Sequence, residues 1–167
     1  SSNNSLITAP TRILNIYNFD DRKIESNLSL FYSDSYQLIN NLNLILQYLD
    51  NITDATDSEK NEIKAETLAM RALIHFQLYR IYAQNYTHTA NASHLGIVYN
   101  TVPLQVGIDY PVRKTVAETF ALLESDAKTA ISLFQDQKAI PEGLSRNFLS
   151  KDATKALAAD IALWKNN

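Results

Sequence analysis

Few side chains in this sequence could do chemistry: three histidines, a scatter of acids and serines, and an arginine set in a largely apolar run, with no cysteine anywhere. That run is "LAMRALIHFQLYRIYAQNY", from Leu68 to Tyr86; it holds Arg71 and Arg80, and the arginine in question is Arg71. A buried guanidinium left unpaired costs about 3–5 kcal/mol, so Arg71 must meet carboxylates or carbonyls. Asp126 is the expected partner, in an internal tie between helices and a long loop. His75, His88 and His94 do not read as a metal site, because no Cys or tight carboxylate cluster completes a coordination shell. No serine stands in a Gly-framed elbow, and Asp20 and Asp21 are adjacent rather than facing, so neither triad nor paired-carboxylate chemistry is supported. The expectation is a non-catalytic protein with no cofactor and no metal.

Nine tyrosines offer a different capability. An aromatic face is a flat apolar surface for the C–H edges of a sugar ring, and the phenol adds a hydroxyl that can reach a sugar hydroxyl. Tyr86, Tyr99 and Tyr110 flank or lie in the long loop and Tyr17 lies near the start, so these four are the candidate ligand contacts. Tyr32, Tyr36, Tyr48, Tyr79 and Tyr82 fall on helical patterns and are assigned to packing.

The elements that must position these residues are helical. Only three glycines and four prolines occur, which leaves little material for tight turns. From about Asn27 to Asp50 the positions Leu28, Phe31, Ser35, Leu38, Leu42, Ile45 and Leu49 keep a 3–4 spacing, with a flanking row at Tyr32, Ile39 and Leu46. Thr56 with Glu59 makes a capping box for a second helix running to about Tyr86, apolar on two faces. Residues 87–114 hold two glycines and two prolines and form the one long loop. Thr115 with Glu118 is a second capping box, opening a third helix through Val116, Phe120, Leu123, Ala127, Ile131 and Phe134. Ser150 caps a fourth, with Ala153, Leu157, Ile161 and Trp164 at helical spacing. The row around Trp164 is expected to meet something outside this sequence.

Composition bounds the class. One domain over 1–167 is expected, and with a formal charge of -3 there is no basic balance to drive nucleic-acid binding. No apolar run approaches the roughly 20 residues of a membrane span. Alanine rows at Ala69 and Ala72, and at Ala158, Ala159 and Ala162, would let helices approach closely, as in tetratricopeptide-like stacks. The offset between "LAMRAL" and "LAADIAL" is not a multiple of that repeat's length of about 34, so irregular helix pairs remain. The fold class is all-α, an α-α superhelix type with about four main helices.

Four phrases, in order, resemble one family: "YSDSYQLINNLNLILQYLD", "AETLAMRALIHFQLYRIYA", "VRKTVAETFALLESDAKTAI" and "LSKDATKALAADIALWKNN". Together, over roughly residues 28 to 165, they resemble the N-terminal helical part of SusD-like (SusD/RagB) outer-membrane nutrient-binding lipoproteins. The connection "YAQNYTHTANASHLGIVYNTVPL" departs from the family's shorter turn into Val-Pro-Leu. The resemblance implies the leading part of a longer, lipid-anchored protein on the extracellular face of the outer membrane. It would capture oligosaccharides or polysaccharides and pass them to a SusC-like TonB-dependent transporter. The competing expectation is an intracellular tetratricopeptide-like adaptor that holds peptides or proteins between helix pairs.

Overall fold

A computed structural model describes residues 27–140 and 149–166. Four long helices account for most of them: α1 (Asn27–Tyr48), α2 (Asp57–Tyr82), α3 (Val116–Leu133) and α4 (Lys151–Lys165). The chain is all-α, as its periodicity and its poverty in turn formers require; among the described residues the β-type pairing is one isolated bridge, Leu95 with Thr115.

The caps are where the sequence places them. Thr56 and Thr115 each accept from the N3 backbone while Glu59 and Glu118 reach back to the cap amide, so both boxes are complete. Those amide and hydroxyl bonds hold both glutamates below the ordinary carboxylate range. Ser150 accepts from the Ala153 amide and so starts α4.

The chain divides into two compact units, Ser1–Tyr36 and Gln37–Asn167. In the first, the Tyr32 and Tyr36 rings lie 4.7 Å apart, and the Ser33 hydroxyl donates to the Leu30 carbonyl. In the second, α2 packs along α3 and α3 along α4. The α2–α3 seam is built from small residues: Ala65, Ala69 and Ala72 on α2 and Ala127 and Ala130 on α3 are all buried. Side chains this short let the helix axes approach, and Leu68 and Phe134 fill the space beside them. Glu62, also buried, accepts from the Ala139 and Ile140 amides at 2.6 and 3.1 Å, tying the chain after α3 back onto α2.

An aromatic corner closes the other end of the seam. Tyr79 meets Phe120 edge-on at 4.8 Å, Tyr86 meets Phe120 at 5.0 Å, and Trp164 sits edge-on to both Phe76 and Tyr79. Such T-shaped pairs place a positive ring edge on a negative ring face. Trp164 therefore has partners within the chain; the Arg80 guanidinium also lies 5.0 Å over its ring. Leu163, in contrast, stays exposed.

Three sequence expectations shift. The buried stripe of α1 within the second unit is Ile39, Leu42 and Asn43, continued by Leu49 in the short 3-10 turn that follows the helix, while Leu38 and Ile45 are exposed. The helix is rotated so that Asn43 faces inward, for reasons given below. Helix α2 ends at Tyr82, not Tyr86, because tertiary donors take the carbonyls that follow: Arg113 reaches the Tyr82 carbonyl, and the Tyr79 hydroxyl donates to that of Gln84. Tyr48, assigned to packing, is more than half exposed.

Candidate functional site

The connection between α2 and α3 is the long loop, and it has a held part and a displayed part. Its two ends are stitched antiparallel. The Gly96 amide donates to the Lys114 carbonyl at 2.7 Å, the Lys114 amide to Ile97 at 2.8 Å, and the Val116 amide to His94 at 2.9 Å. Arg113 bridges the same strip, with Nε on the Gly96 carbonyl at 2.6 Å and Nη2 on that of Leu95 at 3.1 Å. Gly96 is required here, since a Cβ would lie 2.5 Å from the Thr119 hydroxyl oxygen, whose side chain is fully buried on α3.

Beyond the stitch, residues 99–104 run over a buried polar clamp. Arg71 forks onto Asp126, with Nε to Oδ2 at 2.8 Å and Nη2 to Oδ1 at 2.7 Å, and both side chains are at most 10% exposed. Its Nη1 donates to the Asn43 carboxamide oxygen at 2.8 Å and to the Thr101 carbonyl at 3.3 Å. The Tyr99 hydroxyl donates to Asp126 Oδ2 at 2.8 Å. Burial, and the Asp126 carboxylate beside it, push that hydroxyl well above the ordinary phenol value, so it stays a donor.

His75 completes the clamp. Its ring stacks on Tyr99 with centroids 3.7 Å apart, and its Nε2 accepts from the Asn100 amide at 3.2 Å. Since Nε2 accepts, the proton belongs on Nδ1, which lies 2.9 Å from the Arg71 carbonyl. Burial lowers the pKa of His75 to about 3; the Arg71 charge acts the same way and the bond to the Arg71 carbonyl opposes it. The imidazole is neutral at every ordinary pH. Among the described residues no buried side-chain nitrogen or oxygen lacks a partner, so the clamp is saturated.

Residues 105–112 are displayed. Asp109 folds the tip by accepting from the Gln105 amide at 2.7 Å, while the Ile108 and Asp109 amides return to the Gln105 carbonyl. Gly107 supplies the turn at a φ of 81°. Val106, Ile108, Tyr110 and Val112 are all at least 69% exposed. Four large apolar side chains in solvent on one internally bonded turn is the kind of patch that marks a binding surface.

The four candidate tyrosines thus meet different fates. Tyr110 stands in solvent at the tip, its hydroxyl 3.3 Å from the Gly107 carbonyl. Tyr86 is half-buried in the aromatic corner with Lys165 Nζ 5.9 Å from its ring centre. Tyr99 is 5% exposed and spends its ring on His75 and its hydroxyl on Asp126, so it offers no free face to a ligand; this corrects its place among the contacts. Tyr17 lies outside the described residues. Sequence reasoning brought out Arg71 and Asp126 but gave no role to Asn43, Asn40 or Arg113. A mid-helix asparagine among buried aliphatics was the available signal for Asn43. His88 and His94 lie edge to face at 5.1 Å, and no group of three or more metal-ligating residues occurs among the described ones.

Irregular helix pairs carrying a clamped, displayed loop define an all-α helical scaffold. Residues 2–163 match the family SusD-like_3, described as "Starch-binding associating with outer membrane". The chain belongs to this SusD-like family. No curated protein matches it.

Among solved structures, a SusD superfamily protein from Bacteroides vulgatus is similar at 25% identity with a TM-score of 0.76, over 91% of this chain and 33% of its own. A putative sugar binding protein from the same species matches at 28% identity and a TM-score of 0.69, over 81% of this chain and 29% of its own. A laminarin binding SusD-like protein matches in fold at 23% identity with a TM-score of 0.70, over 93% of this chain and 30% of its own. The chain thus spans about a third of the length of these structures.

Proposed function

We propose that this chain is the helical scaffold of a surface glycan-binding protein that captures oligosaccharides without chemical change and hands them to a SusC-like TonB-dependent transporter for import. The observation that carries the reading is the family match over residues 2–163, with its description of starch binding at the outer membrane. The name of the laminarin binding relative points to the same class of ligand. Attachment is by a lipid anchor at the extracellular face; no described helix is long and apolar enough to cross a membrane. The chain is read as the leading part of a longer protein, in keeping with the length of its relatives.

Within this reading the displayed tip is the ligand-facing part contributed here. Tyr110 is the aromatic platform and Val106 and Ile108 its apolar neighbours, while Tyr86 and Tyr17 remain secondary candidates. The adaptor reading has no observation of its own to set against the family match. The test is a glycan array followed by calorimetry with soluble starch and laminarin, on wild type and on Tyr110→Ala in the full-length protein. Saturable binding of one polysaccharide, weakened in the variant, is expected. Failure of the wild type to bind any glycan, together with capture of a peptide ligand, would overturn the proposal in favour of the adaptor.

A further inference from the structure

Asn43 is 1% exposed on a helix face it shares with Ile39 and Leu42. A carboxamide there is costly unless both of its ends are used. Both are. The oxygen accepts from Arg71, and Nδ2 donates to the carbonyls of Asn100 at 3.2 Å and Val102 at 3.0 Å. Near it on α1, the Asn40 side-chain oxygen accepts from the Leu104 amide at 2.7 Å.

Residues 100, 102 and 104 are alternate positions of a stretch without regular structure that bends at Val102, and each turns a backbone group to an asparagine of α1. Two asparagines on α1 therefore read this part of the loop. Sequence excludes one of the two single-residue slips. In that direction Pro103 would be presented to Asn40, and proline has no N–H to give. The tip begins at the next residue, Gln105, whose amide and carbonyl both build the Asp109 turn.

We propose that Asn43, seconded by Asn40, is the positioning residue that sets the register of the loop and so decides how Val106, Ile108 and Tyr110 are presented. As regards ligand this rests on the glycan-binding reading; as regards register it stands on the hydrogen bonds alone. Asn43→Asp separates the two ends of the side chain, because it keeps an acceptor for Arg71 and removes the donor to the two carbonyls.

The experiment is amide hydrogen exchange by NMR on the whole chain. In Asn43→Asp the Asn100, Leu104, Ile108 and Asp109 amides should exchange about tenfold or more faster, while Phe76, Leu78 and Leu123 in α2 and α3 change by less than about twofold. Asn43→Gln, which retains the carboxamide, should recover part of the loop's protection. Affinity for soluble starch or laminarin should fall about tenfold in the Asp variant and partly return in the Gln variant. Unchanged loop amides, or an acceleration spread equally over the helices, overturn the proposal. Should Asn43→Asp fail to fold, Asn40→Ala at its half-buried site gives the same reading for Leu104 and the tip. A wild type that binds neither polysaccharide removes the functional reading, while the exchange pattern still decides the register.

Discussion

Residues 99–104 and residues 105–112 are neighbours in one loop and differ in environment. The first stretch lies over a buried guanidinium, a carboxylate, an imidazole and a carboxamide, every one of them bonded. The second has apolar side chains in water and holds its shape through its own backbone and Asp109. The difference teaches where the charge in α2 is used. Arg71 is used inward: one guanidinium joins Asn43 of α1, Asp126 of α3 and the Thr101 carbonyl of the loop.

The sharpest way to break the contrast is Arg71→Met. It strands Asp126 in the interior and should cost about 3–5 kcal/mol, read from urea denaturation; an unchanged midpoint would show that the clamp holds nothing. Next is Gly96→Ala at the stitch, where the new methyl must displace the Thr119 hydroxyl or the helix behind it. A loss of about 1–3 kcal/mol is expected, and a neutral result would mean the loop ends are looser than their hydrogen bonds indicate.

A smaller effect comes from acid. The folded-state pKa of His75 is lowered from 6.5 to about 3, so between those values the unfolded chain binds a proton that the folded chain refuses. The stability gained by keeping the ring neutral is whole above pH 6.5 and drains away as pH falls toward 3, with a slope approaching about 1.4 kcal/mol per pH unit. Denaturation curves from pH 7 to pH 4 should show this slope in the wild type and lose it in His75→Gln. The same slope in both would remove His75 as its source. Smallest is the tip: Val106→Ser and Tyr110→Ser should each leave the melting temperature within the equivalent of about 0.5 kcal/mol while weakening glycan binding. A large thermal loss there would erase the distinction between held and displayed.

Much of the scaffold was legible because its signals are local. Both capping boxes, the Ser150 cap, the poverty in turn formers and the alanine rows each depend on residues within a turn or two of one another. Arg71 was legible for another reason: a charge in an apolar helix demands a partner, and Asp126 was an acid available on another expected helix. Asn43 was hidden although it lies inside a phrase the sequence reading quoted, since an asparagine in a helix demands nothing until the chain 57 residues later arrives beside it. Tyr99 misled for the same reason. A tyrosine in a loop looks identical whether its hydroxyl faces water or Asp126. The early end of α2 also came from afar, because Arg113 and the rest of the loop set it and no helix breaker stands between Tyr82 and Tyr86.

Gly107 has nothing within 4 Å of where a side chain would begin, yet its backbone lies in a region that other residues adopt only with strain. Room is plentiful at that point, and geometry is the constraint. Val106 and Ile108 stand in solvent on either side of it, so their identity can change while Gly107 and Asp109 keep the turn. On the glycan-binding reading proposed above, a change of ligand would take only a handful of letters there, with the architecture underneath left as it was.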